Sequence, residues 1–140
     1  GLNSRHTPPC VEAVKRVLDS GTLCSIDGVA GREFEQTFAK MIGVKRAVAV
    51  NAGMSALHCA VSAAGAGAGD EVICDSMVQF GSMAVMYNNA VPVFADVQRD
   101  THLIDPESVR ERITERTKAI VCTHLWGLPC DMDPLMEIFP

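Results

Sequence analysis

The chain lacks several features that would each have pointed to a function. No apolar run approaches the ~18 residues needed to cross a bilayer as a helix. The first residues, Gly1-Leu2-Asn3-Ser4-Arg5, lack the apolar core of a secretory signal. Residue 1 is Gly and not Met, as expected of a processed end or a tag remnant. Excess positive charge is missing too: 12 Lys and Arg stand against 17 Asp and Glu, a net charge of −5. Such a balance gives no nucleic-acid footprint. The six cysteines, at 10, 24, 59, 74, 122 and 130, form no C-x-x-C and no zinc-finger spacing with histidine. No metal site is expected from them. Cys59, Cys74 and Cys122 fall in apolar runs, where a free thiol behaves as a small hydrophobe. The pattern suits a reducing cytoplasm better than a disulfide framework.

What is present is an ordinary soluble composition, 48% hydrophobic and 21% charged over 140 residues. That length supports one domain with a real core. The stretch Ala47-Val48-Ala49-Val50-Asn51-Ala52-Gly53-Met54-Ser55 stands out. Small and β-branched residues predict a buried strand over Arg46–Val50, a Gly-bearing turn follows, and a helix opens near Met54. A helix start leaves backbone N–H groups unpaired at the positive end of its dipole. The turn is therefore a generic anion site, with phosphate its commonest guest.

The rest of the chain alternates in the same way. Thr7-Pro8-Pro9 predicts a helix start with Thr7 as N-cap, and Val11, Val14, Val17 and Leu18 recur at helical spacing up to a stop at Gly21. Thr22 to Gly31 reads as a loop, and Glu33 to Ile42 as an amphipathic helix ended by Gly43. Within Phe34, Phe38, Met41 and Ile42 lies its apolar face. Gly65-Ala66-Gly67-Ala68-Gly69-Asp70 resembles a dinucleotide fingerprint only in composition. It follows a helix and leads into the strand Glu71–Cys74, the reverse of the required context, and reads as a turn. Further elements are a buried helix over Met77–Tyr87, a strand over Val91–Ala95 at an edge or strand start because of Pro92, and a polar loop over Asp96–Ile104. A helix capped by Asp105-Pro106-Glu107 follows, with Val109 and Ile113 facing the core. After it come a strand over Lys118–Thr123, a loop over His124–Pro129 and a last helix from Asp133-Pro134.

Short apolar runs without clear alternation, separated by helices, predict an α/β fold with a mainly parallel sheet covered on both faces. Ligands in such sheets bind beyond the carboxyl ends of the strands. That rule collects Asn51–Ser55, Asp75–Phe80 and His124–Gly127 at one rim.

Six segments, in order, resemble the DegT-type sugar aminotransferases, which depend on pyridoxal 5′-phosphate (PLP) and have fold type I. They are Phe34-Glu35-x-x-Phe38-Ala39 with Gly43-Val44-Lys45; Ala47 to His58, similar to A-V-A-V-x-S-G-T-x-A-L-H; Gly69-Asp70-Glu71-Val72-Ile73; Ala90 to Val97, similar to A-x-P-V-F-x-D-V; Thr114 to Ile120, similar to I-T-x-x-T-K-A-I; and His124-Leu125-Trp126-Gly127-Leu128-Pro129, similar to H-L-Y-G-x-P. The resemblance implies a partial three-layer α/β/α sandwich, the N-terminal part of the large domain of a PLP-dependent transferase, over residues 1–140.

It also gives the anion an identity. The cofactor phosphate would sit on Gly53, Met54 and Ser55; Met54 stands where the family has Thr, so the N–H remains and the hydroxyl is lost, with Ser55 as a substitute. The family stacks an aromatic ring on the cofactor from the segment after the second strand. Counting from Ile73 puts that position at Gln79, counting back from Pro92 puts it at Val78, and the aromatic of the segment is Phe80, which reads equally as a core residue. His58 reads as a packed residue, His124 as a rim residue, and Asp27 as exposed loop filler, although Ile26-Asp27-Gly28 is similar to a loop that the family places near substrate.

The family's Schiff-base lysine and pyridine-binding aspartate lie beyond the H-L-Y-G loop. Lys15, Lys40, Lys45 and Lys118 do not match the lysine's motif. The resemblance therefore implies the first third of an enzyme that moves an amino group from a donor such as glutamate to a keto-sugar nucleotide. No catalytic residue is expected within these 140, and PLP is not expected to bind covalently here. In the family the strand matching Arg46–Val50 pairs with one encoded later, so here it is expected to be isolated, and the chain to rearrange it or to form a homodimer by strand or segment exchange. The other function class in view is a non-enzymatic oligomerising or binding domain.

Overall fold

The computed structural model describes residues 8–139. Two compact units divide the chain, Gly1–Ala49 and Val50–Pro140.

The first unit holds two helices, α1 (Pro8–Asp19) and α2 (Val29–Ile42). The Thr7 cap lies outside the described residues. Gly21 takes φ 68° after α1, and Gly43 takes φ 81° after α2, donating its N–H to the Ala39 carbonyl. Such left-handed turns suit glycine, which has no Cβ to clash. Helix α2 starts four residues before the expected Glu33, because Gly28 serves as its N-cap. A Cβ on Gly28 would lie 2.7 Å from the Cys24 carbonyl oxygen, so the loop closes here only on glycine. An ion pair of 2.8 Å joins Arg16 to Glu33. The apolar positions read as helix faces remain open: Val11, Val14, Leu18, Phe34, Phe38, Met41 and Ile42 are all exposed.

The stretch Arg46–Val50 corrects the sequence reading. It forms no strand, and Val48 is 80% exposed. A strand exists by pairing, and no neighbour pairs here; the Ala49 N–H is instead donated to Glu35 Oε1 at 2.8 Å.

The second unit is a three-layer α/β/α arrangement. Its elements are α3 (Gly53–Ala63), β1 (Glu71–Asp75), α4 (Gln79–Tyr87), β2 (Val91–Ala95), α5 (Pro106–Arg112), β3 (Thr117–Val121) and α6 (Met132–Ile138). The sheet is parallel with order β2-β1-β3. All five β1 residues are buried, as a central strand covered on both faces requires. Pro92 sits in an edge strand, where its missing N–H leaves no gap in an interior ladder.

Alternation along the strands builds two half-cores. Val72 and Cys74 of β1, with Ala119 and Val121 of β3, pack against Met54, Leu57 and Val61 of α3 and Ala84 and Val85 of α4. Ile73 points the other way, with Val93, Ala95 and Ile120, against Val109 of α5 and Leu135 of α6. Burying each large apolar side chain contributes roughly 1.5–3 kcal/mol before entropy is counted. Gly81 lets α4 approach the sheet, since a Cβ there would meet Val121 Cγ1 at 3.0 Å. Asn88 ties α4 to α3 by donating Nδ2 to the carbonyls of Ala84 (2.9 Å) and His58 (3.3 Å).

Two local readings change. The loop Asp96–Ile104 is not wholly polar: Leu103 and Ile104 are buried, and Ile104 pairs antiparallel with Val97. Cys59 is exposed, whereas Cys74 and Cys130 are buried. The Gly65–Asp70 run is the expected turn, closed by Asp70 N–H to the Gly67 carbonyl and Gly67 N–H to Asp70 Oδ2. Asp105 caps α5 by accepting from the Glu107 N–H at 3.2 Å. Among the described residues no helix is long and apolar enough to cross a membrane.

Candidate functional site

Helix α3 runs into β1, and α4 runs out of it. Both pack on the same sheet face. Both helices therefore run opposite to β1, and both start at its carboxyl end. That end is where open α/β sheets hold ligands.

The start of α3 has no side-chain cap. Its N-cap is Ala52, in extended conformation, and the first helical bond is Ala56 N–H to the Ala52 carbonyl at 3.2 Å. The N–H groups of Gly53, Met54 and Ser55 precede that bond and are the unpaired donors of a first turn. Met54 turns its side chain into the core beside Val61 and Val72, so it offers only its N–H to the rim. Ser55 Oγ donates to Asn51 Oδ1 at 2.7 Å, bracing the turn across the helix start. A Cβ built on Gly53 meets nothing within 4 Å, so internal packing does not demand glycine at that position. The donor set is three backbone N–H groups, a hydroxyl and the helix dipole. It fits a phosphate.

The start of α4 is different. Asp75, only 4% exposed, ends β1 and accepts from Met77 N–H (3.0 Å), Val78 N–H (2.8 Å) and Thr123 Oγ (2.6 Å). A carboxylate already occupies the donors leading into this helix. Gln79 and Phe80 lie in the first turn of α4, both exposed, with Phe80 52% open. Phe80 is thus not a core residue. Among the described residues no hydrogen bond joins this turn to that of Gly53–Ser55.

The role of Asp75 was missed in the sequence. Its signal was local: an Asp two and three residues before its donors is an Asx-type turn. The partner Thr123 was not legible, because it lies 48 positions away.

His124 is a structural residue, its Nδ1 accepting the Cys130 N–H at 3.0 Å. Cys130 Sγ donates to the Thr123 carbonyl at 3.2 Å. The loop between them carries Trp126 in left-handed conformation (φ 51°), 86% exposed. His58 is exposed rather than packed in a core, edge-on to Tyr87 with ring centroids 5.9 Å apart. Asp27 is exposed; its carbonyl accepts from Arg32 Nη2 at 2.8 Å. In the same unit, a cavity of about 360 Å³ is lined by residues including Val17, Leu23, Cys24 and Val29.

Burial pushes the Cys74 thiol up to about 12, with Asp75 adding to it, and pushes Cys122 up to about 11. Burial also raises Cys130. Raising a thiol's pKa lowers its thiolate fraction, the reactive form. Among the described residues no cluster of His, Cys, Asp and Glu could hold a metal ion.

The fold defines a class: a parallel α/β protein with two helices starting at the carboxyl rim of its sheet. Within that class, the chain belongs to the DegT/DnrJ/EryC1/StrS aminotransferase family, whose model matches residues 7–139. It is 47% identical over 107 residues to a GDP-perosamine synthase of Caulobacter vibrioides, covering 76% of this chain and 29% of that protein. An aminotransferase from Psychrobacter cryohalolentis superposes with a TM-score of 0.88 at 40% identity, over 96% of this chain and 34% of the other. NtdA from Bacillus subtilis, solved with bound cofactor PMP, gives a TM-score of 0.84 at 29% identity, over 91% of this chain and 29% of the other. The chain spans about a third of the length of the curated relatives it matches.

The residues present fit the phosphate of PLP, through the α3 donors. They offer no lysine at this turn: the positions at the two helix starts are Asn51, Gly53, Met54, Ser55, Gln79 and Phe80.

Proposed function

We propose that these residues form the N-terminal part of the cofactor-binding domain of a PLP-dependent sugar aminotransferase, and that Asn51–Ser55 is its phosphate cup. The observation that carries this reading is the start of α3, with N–H groups that no side chain caps among the described residues. PLP, when bound, supplies the electron sink that lets an amino group move between an amino acid and a carbonyl compound. The part assigned to this chain is binding and orientation. Gly53, Met54 and Ser55 hold the phosphate through their N–H groups. Ser55 exchanges its bond to Asn51 for one to a phosphate oxygen. Gln79 or Phe80 lies against the ring.

The parent reaction would transfer the amino group of a donor such as glutamate to a keto-sugar nucleotide. The family's lysine and aspartate have no match here, so these 140 residues alone are inactive and hold no covalent cofactor. Titration with inorganic phosphate, followed at the backbone amides, tests the cup: Gly53, Met54 and Ser55 should shift together, and their failure to shift removes the proposal. Borohydride trapping with PLP tests the second part. A stoichiometric adduct at one lysine would refute it.

A cytoplasmic homodimer belongs to the same proposal. Support comes from the exposed apolar residues of α2 and from the two sheet edges, β2 and β3, that pair with nothing among the described residues. Open edges and apolar faces favour association. The same features favour a second reading, an oligomerising domain without catalysis. Light scattering at several concentrations tests the dimer, and a monomer throughout would end it. A phosphate response at the cup favours the first reading over the second.

A further inference from the structure

Glu71 and Asp75 are the acidic residues buried among those described, one at each end of β1. Glu71 has a cation beside it in Arg116, with Thr114 donating to Oε2 at 2.6 Å. Asp75 has no ion pair among the described residues. Its oxygens are instead divided: Oδ1 takes the N–H groups of Met77 and Val78, and Oδ2 takes the Thr123 hydroxyl. The first pair fixes the backbone immediately before α4. The second ties that backbone to the end of β3, whose following loop is closed by His124 and Cys130. The carboxylate thus sets where α4 begins, and with it the place of Gln79 and Phe80 on the rim. It also puts negative charge beside the α4 start, leaving α3 as the helix start open to an anion.

We infer that Asp75 is a positioning residue for the cofactor ring: by clamping Met77 and Val78 and holding Thr123, it keeps Gln79 and Phe80 where a ring can rest when its phosphate is on Gly53–Ser55. This inference rests on the phosphate cup proposed above.

The test uses the 140-residue chain and two probes, inorganic phosphate and pyridoxine 5′-phosphate. The second has the ring and phosphate but no aldehyde, so it forms no lysine adduct. Both probes should shift the amides of Gly53, Met54 and Ser55. Only pyridoxine 5′-phosphate should also shift Gln79 and Phe80, and it should bind about fivefold more tightly, the gain of one aromatic contact. Asp75→Ala should abolish that gain and leave the phosphate affinity within about twofold. Asp75→Asn keeps an oxygen for Met77 and Val78 and should restore most of it. Should Asp75→Ala lose its dispersed amide spectrum, Thr123→Val carries the test, removing one bond of three and reducing the gain about twofold. An unchanged ring gain in a folded Asp75→Ala or Thr123→Val protein overturns the inference. So does a ring gain of zero in the unsubstituted chain that still binds phosphate. No phosphate response at Gly53–Ser55 overturns the cup itself, and the inference with it.

Discussion

Helices α3 and α4 lie side by side on one face of the sheet and start at the same rim. One start is filled by the protein and the other is not. At α4, Asp75 takes the N–H groups of Met77 and Val78. At α3, the N-cap is Ala52 and contributes no side-chain oxygen. Unpaired donors at a helix start seek an acceptor. Where the chain supplies one, the helix is anchored. Where the chain withholds one, the donors stay available to an anion, as the proposed phosphate cup requires. The contrast separates a start anchored by a side chain from one left open within one half-core.

The sharpest way to break the comparison is to empty the filled start. Asp75→Ala leaves three part-buried donors without their acceptor and should cost about 3 kcal/mol, read from urea unfolding. A loss below about 1 kcal/mol would mean that the clamp anchors nothing. The converse change acts on the open start. Proline is tolerated at the first helical position, yet it deletes the N–H. Gly53→Pro should therefore weaken inorganic phosphate binding about tenfold with little change in stability, since one hydrogen bond to a charged group contributes roughly 1.5 kcal/mol. Isothermal calorimetry measures the first effect and thermal unfolding the second. A smaller change tests how firmly the far end of α4 is tied to α3. Asn88→Ala removes the Nδ2 bonds from α4 to the Ala84 and His58 carbonyls and should cost about 1 kcal/mol.

The smallest effect lies at the other end of β1. The Thr114 hydroxyl holds the Glu71 carboxyl below its ordinary range, and the Arg116 guanidinium adds to this against the opposing effect of burial. A carboxyl lowered in the folded state adds stability above its unfolded pKa, and that contribution is lost as pH falls through the folded value. Glu71→Gln should flatten the acid limb of the stability curve and leave the neutral region nearly level. An acid limb of unchanged slope would remove Glu71 from the account.

Much of this molecule is legible residue by residue. Asp105-Pro106-Glu107 reads as a helix start and is one, because cap, proline and acidic first turn act within four residues. Gly43 reads as a stop and takes φ 81°. Val91–Ala95 forms the expected strand with its ends unchanged. The turn at Gly53 is legible for the same reason, since its donors belong to consecutive residues. Arg46–Val50 shows the limit. Its residues suit a strand, yet strandedness is a relation to a neighbour, and no neighbour pairs with it. The apolar face of Phe34, Phe38, Met41 and Ile42 is equally plain in the sequence, but which surface covers it is not a property of those residues.

Sequence alone therefore determined the alternation of elements, the α/β class, the family motifs and the turn that opens a helix at Asn51–Ser55. Each depends on interactions spanning a few residues or on a pattern read in order. Tertiary structure alone decided that β1 lies between β2 and β3, that Asp75 meets Thr123 across the sheet, and that the two helix starts differ. Those facts depend on groups far apart in the chain, brought together only when the sheet pairs and its two faces are buried.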